Sequence, residues 1–133
     1  MALDSDFCGL CNEGTESADH LFTGCSISMG VWDRFSEWLK LPNFFAFSIS
    51  DLLVIHEGAG GDRQAKEIVR GLVLVTCWVI WKARNNRVFS NGSEDSNDSF
   101  GEVRSLGFFW LRCRSKHSSI VWRDWCSYPL YML

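Results

Sequence analysis

The sequence predicts a small all-α domain with a Cys/His zinc-binding head at its N-terminal end. Its 133 residues suit one domain, and 47% apolar with 22% charged residues is the balance of a globular chain. Apolar residues recur at helical spacing after residue 28, whereas three of the six cysteines and one of the three histidines lie between residues 8 and 25. We expect one compact unit, in which residues 1–27 form the head and residues 28–133 form a helical domain continuous with it.

The head holds four candidate metal ligands at the spacing C-x2-C-x8-H-x4-C: Cys8, Cys11, His20 and Cys25. Gly9 favours a tight turn that points the first two thiolates at one ion, and a helical turn over residues 17–22 would present the imidazole. Sulfur ligands with one imidazole suit Zn²⁺, and four protein ligands leave no position for water or substrate. We predict a structural zinc site and expect the head to be disordered without its metal.

The remaining thiols and imidazoles are interpreted differently. Cys77, Cys113 and Cys126 stand among apolar or aromatic residues, and we expect each to be a small core residue. His56 and His117 have no partner at ligand spacing, so neither is expected to bind a metal. The alternative for the head itself is ordinary buried thiols with a surface histidine, but the clustering of three cysteines and one histidine within eighteen residues favours a metal.

Two helices are predicted directly after the head. Ser28 is the expected N-cap of the first, which covers residues 28–40, and Pro42 stands just past its end. Its apolar residues recur at helical spacing: Val31, Trp32, Phe35, Trp38 and Leu39. A second, short apolar helix is expected from Leu52 to His56.

The longest predicted helix runs from Asp62, a good N-cap, towards Phe89. It would be about 40 Å long at 1.5 Å per residue, unless Gly71 bends it. Its middle is apolar on nearly every face, so it is expected to be the central helix of a bundle or to lie against a partner. The valine-rich run also permits a buried strand. We favour a helix because charged residues flank the run at helical spacing and no second strand candidate could pair with it.

A polar loop is expected over residues 90–99, followed by a helix and an aromatic tail. The helix carries an apolar stripe of Phe100, Val103, Leu106 and Trp110. The tail carries Trp122, Trp125 and Tyr128.

The N-terminal residues and the longest apolar run bear on the compartment. The first six residues are acidic and lack the basic and apolar regions of a signal peptide. The run from Leu72 to Trp81 is about half as long as a bilayer span requires. We therefore expect an intracellular protein, nuclear or cytoplasmic, without a membrane partner and with reduced thiols.

Three blocks of the sequence, in order, resemble the zinc-binding region at the C-terminal end of reverse transcriptases from plant non-LTR (LINE-type) retrotransposons. The first comprises Cys-Gly-Leu-Cys (8–11), Glu-Ser-Ala-Asp-His-Leu-Phe (16–22), Cys25 and Val-Trp (31–32). The second is Trp-Val-Ile-Trp-Lys-Ala-Arg-Asn-Asn-Arg-Val-Phe (78–89). The third is Trp-Leu-Arg-Cys-Arg-Ser-Lys (110–116), with Trp122 and Trp125 ahead of Pro129.

The resemblance implies a small zinc module that helps a polymerase to hold nucleic acid. The metal-binding role carries over onto Cys8, Cys11, His20 and Cys25. Two features depart from the family: the chain begins almost at the first cysteine pair, and nothing in it supplies the paired aspartates that hold catalytic magnesium in the polymerase. We therefore expect a free-standing C-terminal piece without polymerase activity.

Charge is distributed unevenly, and this bears on RNA or single-stranded DNA as a partner. The net charge is −3, but residues 1–62 carry ten acidic and two basic side chains, whereas residues 63–133 carry six acidic and eleven basic ones. Net charge alone neither favours nor excludes nucleic acid, since the basic half can present a local face to phosphates. The candidate nucleic-acid-binding residues are Arg112, Arg114, Lys116 and Arg123, near Trp110, Trp122 and Trp125, with Lys82, Arg84 and Arg87 as a second basic cluster.

Other functions remain open at this point. The tryptophans can equally belong to the core, and the arginines to a solvated face. The chain would then be a zinc-stabilised structural or protein-interaction domain, acting as a homodimer or docking onto a polymerase domain, or a relic fragment without activity of its own. An enzyme is not expected, because the metallopeptidase, serine-hydrolase and P-loop motifs are lacking and the acidic run around residues 94–98 suits a solvated linker.

Overall fold

The computed structural model describes residues 7–41, 46–59, 62–90, 95–113 and 119–132. About 75% of the described residues are helical. The described residues form no β-strand, and the backbone pairs in β fashion only at an isolated bridge between Phe7 and Thr15. The predicted all-α class is therefore confirmed. In chain order the helices are a π-helical turn His20–Gly24, α1 Ser26–Leu39, α2 Ile49–Leu52, a 3-10 turn Ile55–Gly58, α3 Arg63–Ser90, α4 Ser96–Arg112, α5 Trp122–Ser127 and a 3-10 turn Pro129–Met132.

Helix α1 buries the apolar face that its spacing predicts, but it begins earlier than expected. Val31, Phe35 and Leu39 are fully buried or nearly so. The N-cap position is occupied by Cys25, not by Ser28 as predicted. Ser28 lies inside the first turn of the helix, where its buried hydroxyl donates a hydrogen bond to the Leu21 carbonyl.

The short helix predicted from Leu52 to His56 is placed differently. Helix α2 starts at Ile49 because Ser48 and Asp51 form a capping box, in which each side chain accepts a hydrogen bond from the other residue's backbone. It ends at Leu52, and a 3-10 turn from Ile55 to Gly58 follows.

Helix α3 runs unbroken through Gly71, but it is not the central helix of the bundle as predicted: it packs on α4, whereas α4 also contacts α1 and α5. The Asp62 carboxylate accepts a hydrogen bond from the Ala65 amide at 2.9 Å, which confirms the expected N-cap. Gly71 does not interrupt the helix; it makes room for the indole of Trp110, which a Cβ at this position would strike. The helix is not fully covered, because Leu74 and Trp78 are each about half exposed.

Helix α4 packs antiparallel to α3, and two expectations about it are wrong. Part of the predicted polar loop is helical: α4 begins at Ser96, and the Asp95 carboxylate caps it by accepting the Asp98 amide at 2.8 Å. The buried face differs from the predicted stripe in two of its four residues: Leu106 is exposed, and Trp110 is half-buried. The buried face consists of Phe100, Val103, Gly107 and Leu111. The physical reason is Gly107, whose missing side chain lets Leu72 and Trp125 approach the helix.

Helix α5 closes the core through the indole of Trp125. This fully buried ring packs edge-on against Trp38, with ring centroids 5.2 Å apart. The Trp38 indole N–H donates to the Trp125 carbonyl at 2.8 Å, and the Trp125 indole N–H donates to the Arg104 carbonyl at 2.9 Å. Trp125 therefore joins α1, α4 and α5 and belongs to the core, which removes it from the candidates for base stacking.

Candidate metal centre

The first two cysteines lie at either end of a tight turn. The Asn12 amide donates to the Cys8 carbonyl at 2.9 Å, and Asn12 adopts a left-handed conformation (φ 59°) that reverses the chain. Backbone amides point at both sulfurs: that of Leu10 at Cys8 Sγ and that of Glu13 at Cys11 Sγ, each at 3.4 Å. Amide hydrogen bonds of this kind favour the thiolate form that binds metals.

The other two candidate ligands flank the π-helical turn His20–Gly24. This turn lies at the end of the predicted helical turn over residues 17–22, and the Ser17 hydroxyl accepts the His20 amide at 3.0 Å. The Cys25 amide donates to the His20 carbonyl at 2.6 Å, so the turn fixes the separation of imidazole and thiol. As the N-cap of α1, Cys25 also anchors the site to that helix.

The structure brings all four predicted ligands together. The donor atoms of Cys8, Cys11, His20 and Cys25 all lie within 4.8 Å of one another, and Cys11 Sγ is 3.4 Å from His20 Nε2. Ligand atoms around a tetrahedral zinc, with bonds of about 2.0–2.3 Å, lie roughly 3.3–3.8 Å apart. The group can therefore hold a metal ion with little movement, and its four donors fill a tetrahedral shell.

Two glycines that the sequence analysis did not single out position the imidazole. Gly14 adopts a left-handed conformation (φ 64°), and a Cβ there would lie 2.7 Å from His20 Cε1. A Cβ at Gly24 would lie 3.2 Å from His20 Nδ1. The ring is thus held between two backbone segments, with Nε2 directed at the sulfurs.

The three thiols differ in acidity. Burial raises the pKa of Cys25 to about 12 and also raises the pKa of Cys8. Burial acts in the same direction on Cys11, but the hydrogen bonds from His20 and from the Glu13 amide outweigh it and lower the pKa of Cys11 to about 7. Two of the three sulfurs therefore carry protons near neutral pH and have to lose them before they bind a metal.

A buried ion pair, not predicted, fastens the cysteine turn to α3. Glu16 Oε1 lies 3.0 Å from Arg84 Nε, and the two side chains are 5% and 4% exposed. The other carboxylate oxygen of Glu16 accepts the Gly9 amide inside the Cys8–Cys11 turn. The sequence shows an arginine within an apolar helix and a glutamate near the ligands. Nothing in it indicates that the two meet, because they are 68 positions apart.

The head also packs on α1 and α2. Leu21 is fully buried, and the Phe22 carbonyl accepts the Trp32 indole N–H at 2.8 Å. The Asp19 carboxylate accepts the Ile49 amide at 3.1 Å.

The other cysteines and histidines lie apart from the cluster where they are described. Cys77 and Cys126 are half-buried, whereas Cys113 is exposed, and the expectation that it belongs to the core is wrong. It follows the last turn of α4, beyond the buried face that ends at Leu111. His56 is half-buried in the 3-10 turn, and His117 lies outside the described residues.

The candidate nucleic-acid-binding residues are partly assembled around Phe108. The Arg112 guanidinium lies 5.5 Å from the Phe108 ring centroid, and the indole of Trp122, 43% exposed, packs edge-on against the same ring at 5.1 Å. Arg123, next to Trp122, is exposed. We call Phe108, Arg112, Trp122 and Arg123 the basic–aromatic surface. Arg114 and Lys116 lie outside the described residues.

The second predicted basic cluster does not form a free surface. Arg84 is buried in its pair with Glu16, and Lys82 pairs with Glu102 on α4. Arg87 alone of the three is exposed without a described ion pair.

Within the ranges that the structure describes, no helix is both long and apolar enough to cross a membrane. No family model, curated protein or solved structure matches the chain.

Proposed function

We propose that the four-ligand cluster holds a structural Zn²⁺ ion and that the chain is a non-catalytic zinc module. The convergence of three sulfurs and one imidazole nitrogen carries the proposal. Sulfur-rich sets with one imidazole select zinc over the hard cations, and a filled tetrahedron leaves no place for a reacting water. Bound there, zinc would supply a cross-link between the cysteine turn and the start of α1.

Elemental analysis of purified variants tests the metal assignment. Cys8→Ser and His20→Ala each remove a ligand, so zinc should fall below one equivalent per chain. Cys113→Ser is the matched control, because this thiol is exposed and away from the cluster, and it should retain one equivalent. Equal zinc in all three variants would refute the site.

For the role of the module, we infer a nucleic-acid-binding part of the reverse-transcriptase type. The resemblance of the three sequence blocks supports this inference, and so does a contact between two of them: Glu16 of the first block pairs with Arg84 of the second. The basic–aromatic surface offers guanidinium groups for phosphates and an exposed indole for a base, which are the groups that single-strand binding uses.

Fluorescence anisotropy with labelled single-stranded RNA and DNA tests this role. Arg112→Gln and Trp122→Ala should each weaken binding several-fold, and affinity should fall as salt rises because phosphate contacts release counterions. Arg63→Gln serves as the control, since Arg63 is 94% exposed and, among the described residues, forms an ion pair with Glu67 one turn away and with no other carboxylate. No binding at low salt, or equal loss in the control, would exclude this surface.

A second candidate function, protein interaction, is favoured by one observation. Leu74 and Trp78 on α3 and Leu106 and Phe109 on α4 are exposed by 51%, 56%, 36% and 71%. Helical spacing places Leu74 and Trp78 on the face of α3 that also holds Gly71 and Lys82. It places Leu106 and Phe109 close to Glu102 and Trp110 on α4. Because Gly71 meets Trp110 and Lys82 meets Glu102, the four exposed side chains lie on the same side of the molecule. An apolar patch of this kind is typical of an interface.

Analytical ultracentrifugation separates the two functions. A second copy of the chain is the simplest occupant of the patch, and a dimer should then dissociate in Trp78→Glu but persist in Arg112→Gln. A monomer at all concentrations would remove the homodimer and leave docking onto another protein to be tested by direct binding.

A further inference from the structure

A cleft between α1, α4 and α5 is separate from both the metal centre and the basic–aromatic surface. Its volume is about 360 Å³, it opens to solvent, and that size lies at the lower end for small-molecule sites. Its lining combines two arginines with polar and aromatic side chains: Arg34, Glu37, Trp38, Asn97, Phe100, Arg104, Cys126 and Ser127.

Arg104 is positioned but not neutralised. Its guanidinium lies over the Phe100 ring, 5.1 Å from the centroid, and beside the Cys126 thiol. Its Nε is buried and has no hydrogen-bond partner. Because this Nε is inaccessible, an anion in the cleft would be held by the terminal nitrogens of Arg104.

Arg34 supplies the second guanidinium of the lining. One of its terminal nitrogens donates to the Gly30 carbonyl at 3.1 Å, which holds the side chain along α1. Among the described residues, neither Arg34 nor Arg104 forms an ion pair with a carboxylate, although Glu37 shares the lining. No described ion pair therefore occupies either guanidinium, although Arg34 lies near enough to the Asp95 carboxylate to act on it by charge and Arg104 hydrogen-bonds the Cys126 sulfur.

We propose that this cleft binds a nucleoside monophosphate through its phosphate group. Two guanidinium forks match the oxygens and the double charge of a phosphate better than a single carboxylate does. The exposed Glu37 carboxylate can accept a hydrogen bond from the same ligand, which a ribose hydroxyl or a base amino group provides. The volume accommodates one nucleotide unit. The assignment depends neither on zinc nor on the proposed nucleic-acid role, because it uses none of those residues.

Isothermal titration calorimetry of the zinc-loaded chain with adenosine 5′-monophosphate tests the proposal. Binding is expected in the millimolar range or tighter, with inorganic phosphate weaker and with adenosine and acetate not detectable. Arg34→Gln and Arg104→Gln should each weaken the nucleotide about tenfold or more, as expected for loss of a hydrogen bond to a charged group. Arg70→Gln, an exposed substitution on α3, should bind as the unchanged chain does.

Nuclear magnetic resonance spectra show whether the Arg104 variants are folded. Arg104→Lys keeps the charge but loses the planar fork, so a folded Arg104→Lys chain should bind the nucleotide more weakly than the unchanged chain. In the unchanged chain, the arginine Nε–H signals of Arg34 and Arg104 should shift on titration. The proposal is overturned by no nucleotide binding at millimolar concentration, by equal affinity in all variants, or by acetate binding as tightly as the nucleotide.

Discussion

At the scale of single residues, Glu16 supports the metal centre although it is not one of the four ligands. One carboxylate oxygen holds the Gly9 amide of the cysteine turn, and the other meets Arg84 on α3. A buried charge without its partner is costly, so each member depends on the other. The pair thus couples the order of the head to the order of α3.

Replacing Glu16 by glutamine should therefore destabilise the zinc-loaded protein by about 3–5 kcal/mol, because it removes the carboxylate charge from a buried ion pair. Chemical denaturation followed by circular dichroism measures the change. Arg63→Gln breaks an exposed pair and should leave the unfolding midpoint unchanged. Equal midpoints for Glu16→Gln and the unchanged chain would show that the buried pair contributes nothing.

The acidity of the thiols gives a second expectation at this scale. Burial keeps the pKa values of Cys8 and Cys25 above neutrality, and the pKa of Cys11 is about 7. Zinc should therefore displace roughly two to three protons at pH 7, and its affinity should fall as the pH falls, because protons compete for the sulfurs. Calorimetry in buffers of different ionisation enthalpy counts the protons. A binding enthalpy independent of the buffer would contradict this.

At the scale of elements, helical spacing was sufficient where a long apolar face exists. It placed α1 and α3 to within about two residues, since their buried side chains are large and regularly spaced. It failed on α4, because a glycine on the buried face carries no apolar signal and Gly107 is such a residue. The Glu16–Arg84 contact could not be predicted for a different reason. Helical spacing shows which residues are neighbours along one helix, but it does not show which residues on two different elements meet.

The contact between α3 and α4 depends on a missing side chain at Gly71. Gly71→Ala should cost about 1–3 kcal/mol through overpacking against the Trp110 indole, despite the higher helix propensity of alanine. Gly101→Ala is the matched control within α4, since a Cβ there meets nothing within 4 Å. It should stabilise the protein by about 0.5–1 kcal/mol. Thermal unfolding measures both, and a stabilised Gly71→Ala chain would show that the helices can separate freely.

At the scale of the whole molecule, the metal centre joins elements that are far apart in sequence. The cysteine turn contacts the C-terminal half of α3 through Glu16, and the π-helical turn continues into α1 through Cys25. The four ligands were predicted from residue type and spacing alone, because a metal site concentrates its chemistry in a short segment. The residues that line the cleft with Arg34 and Arg104 come from three helices, so no local sequence pattern predicts this cleft.

X-ray absorption at the zinc edge of the purified chain measures the central feature, the coordination shell, most directly. We expect three sulfur neighbours at about 2.3 Å and one nitrogen at about 2.0–2.1 Å, the distances of structural zinc sites. A shell of oxygen and nitrogen alone, or a chain that contains no zinc when purified without chelator, would contradict the assignment of Cys8, Cys11, His20 and Cys25 as ligands.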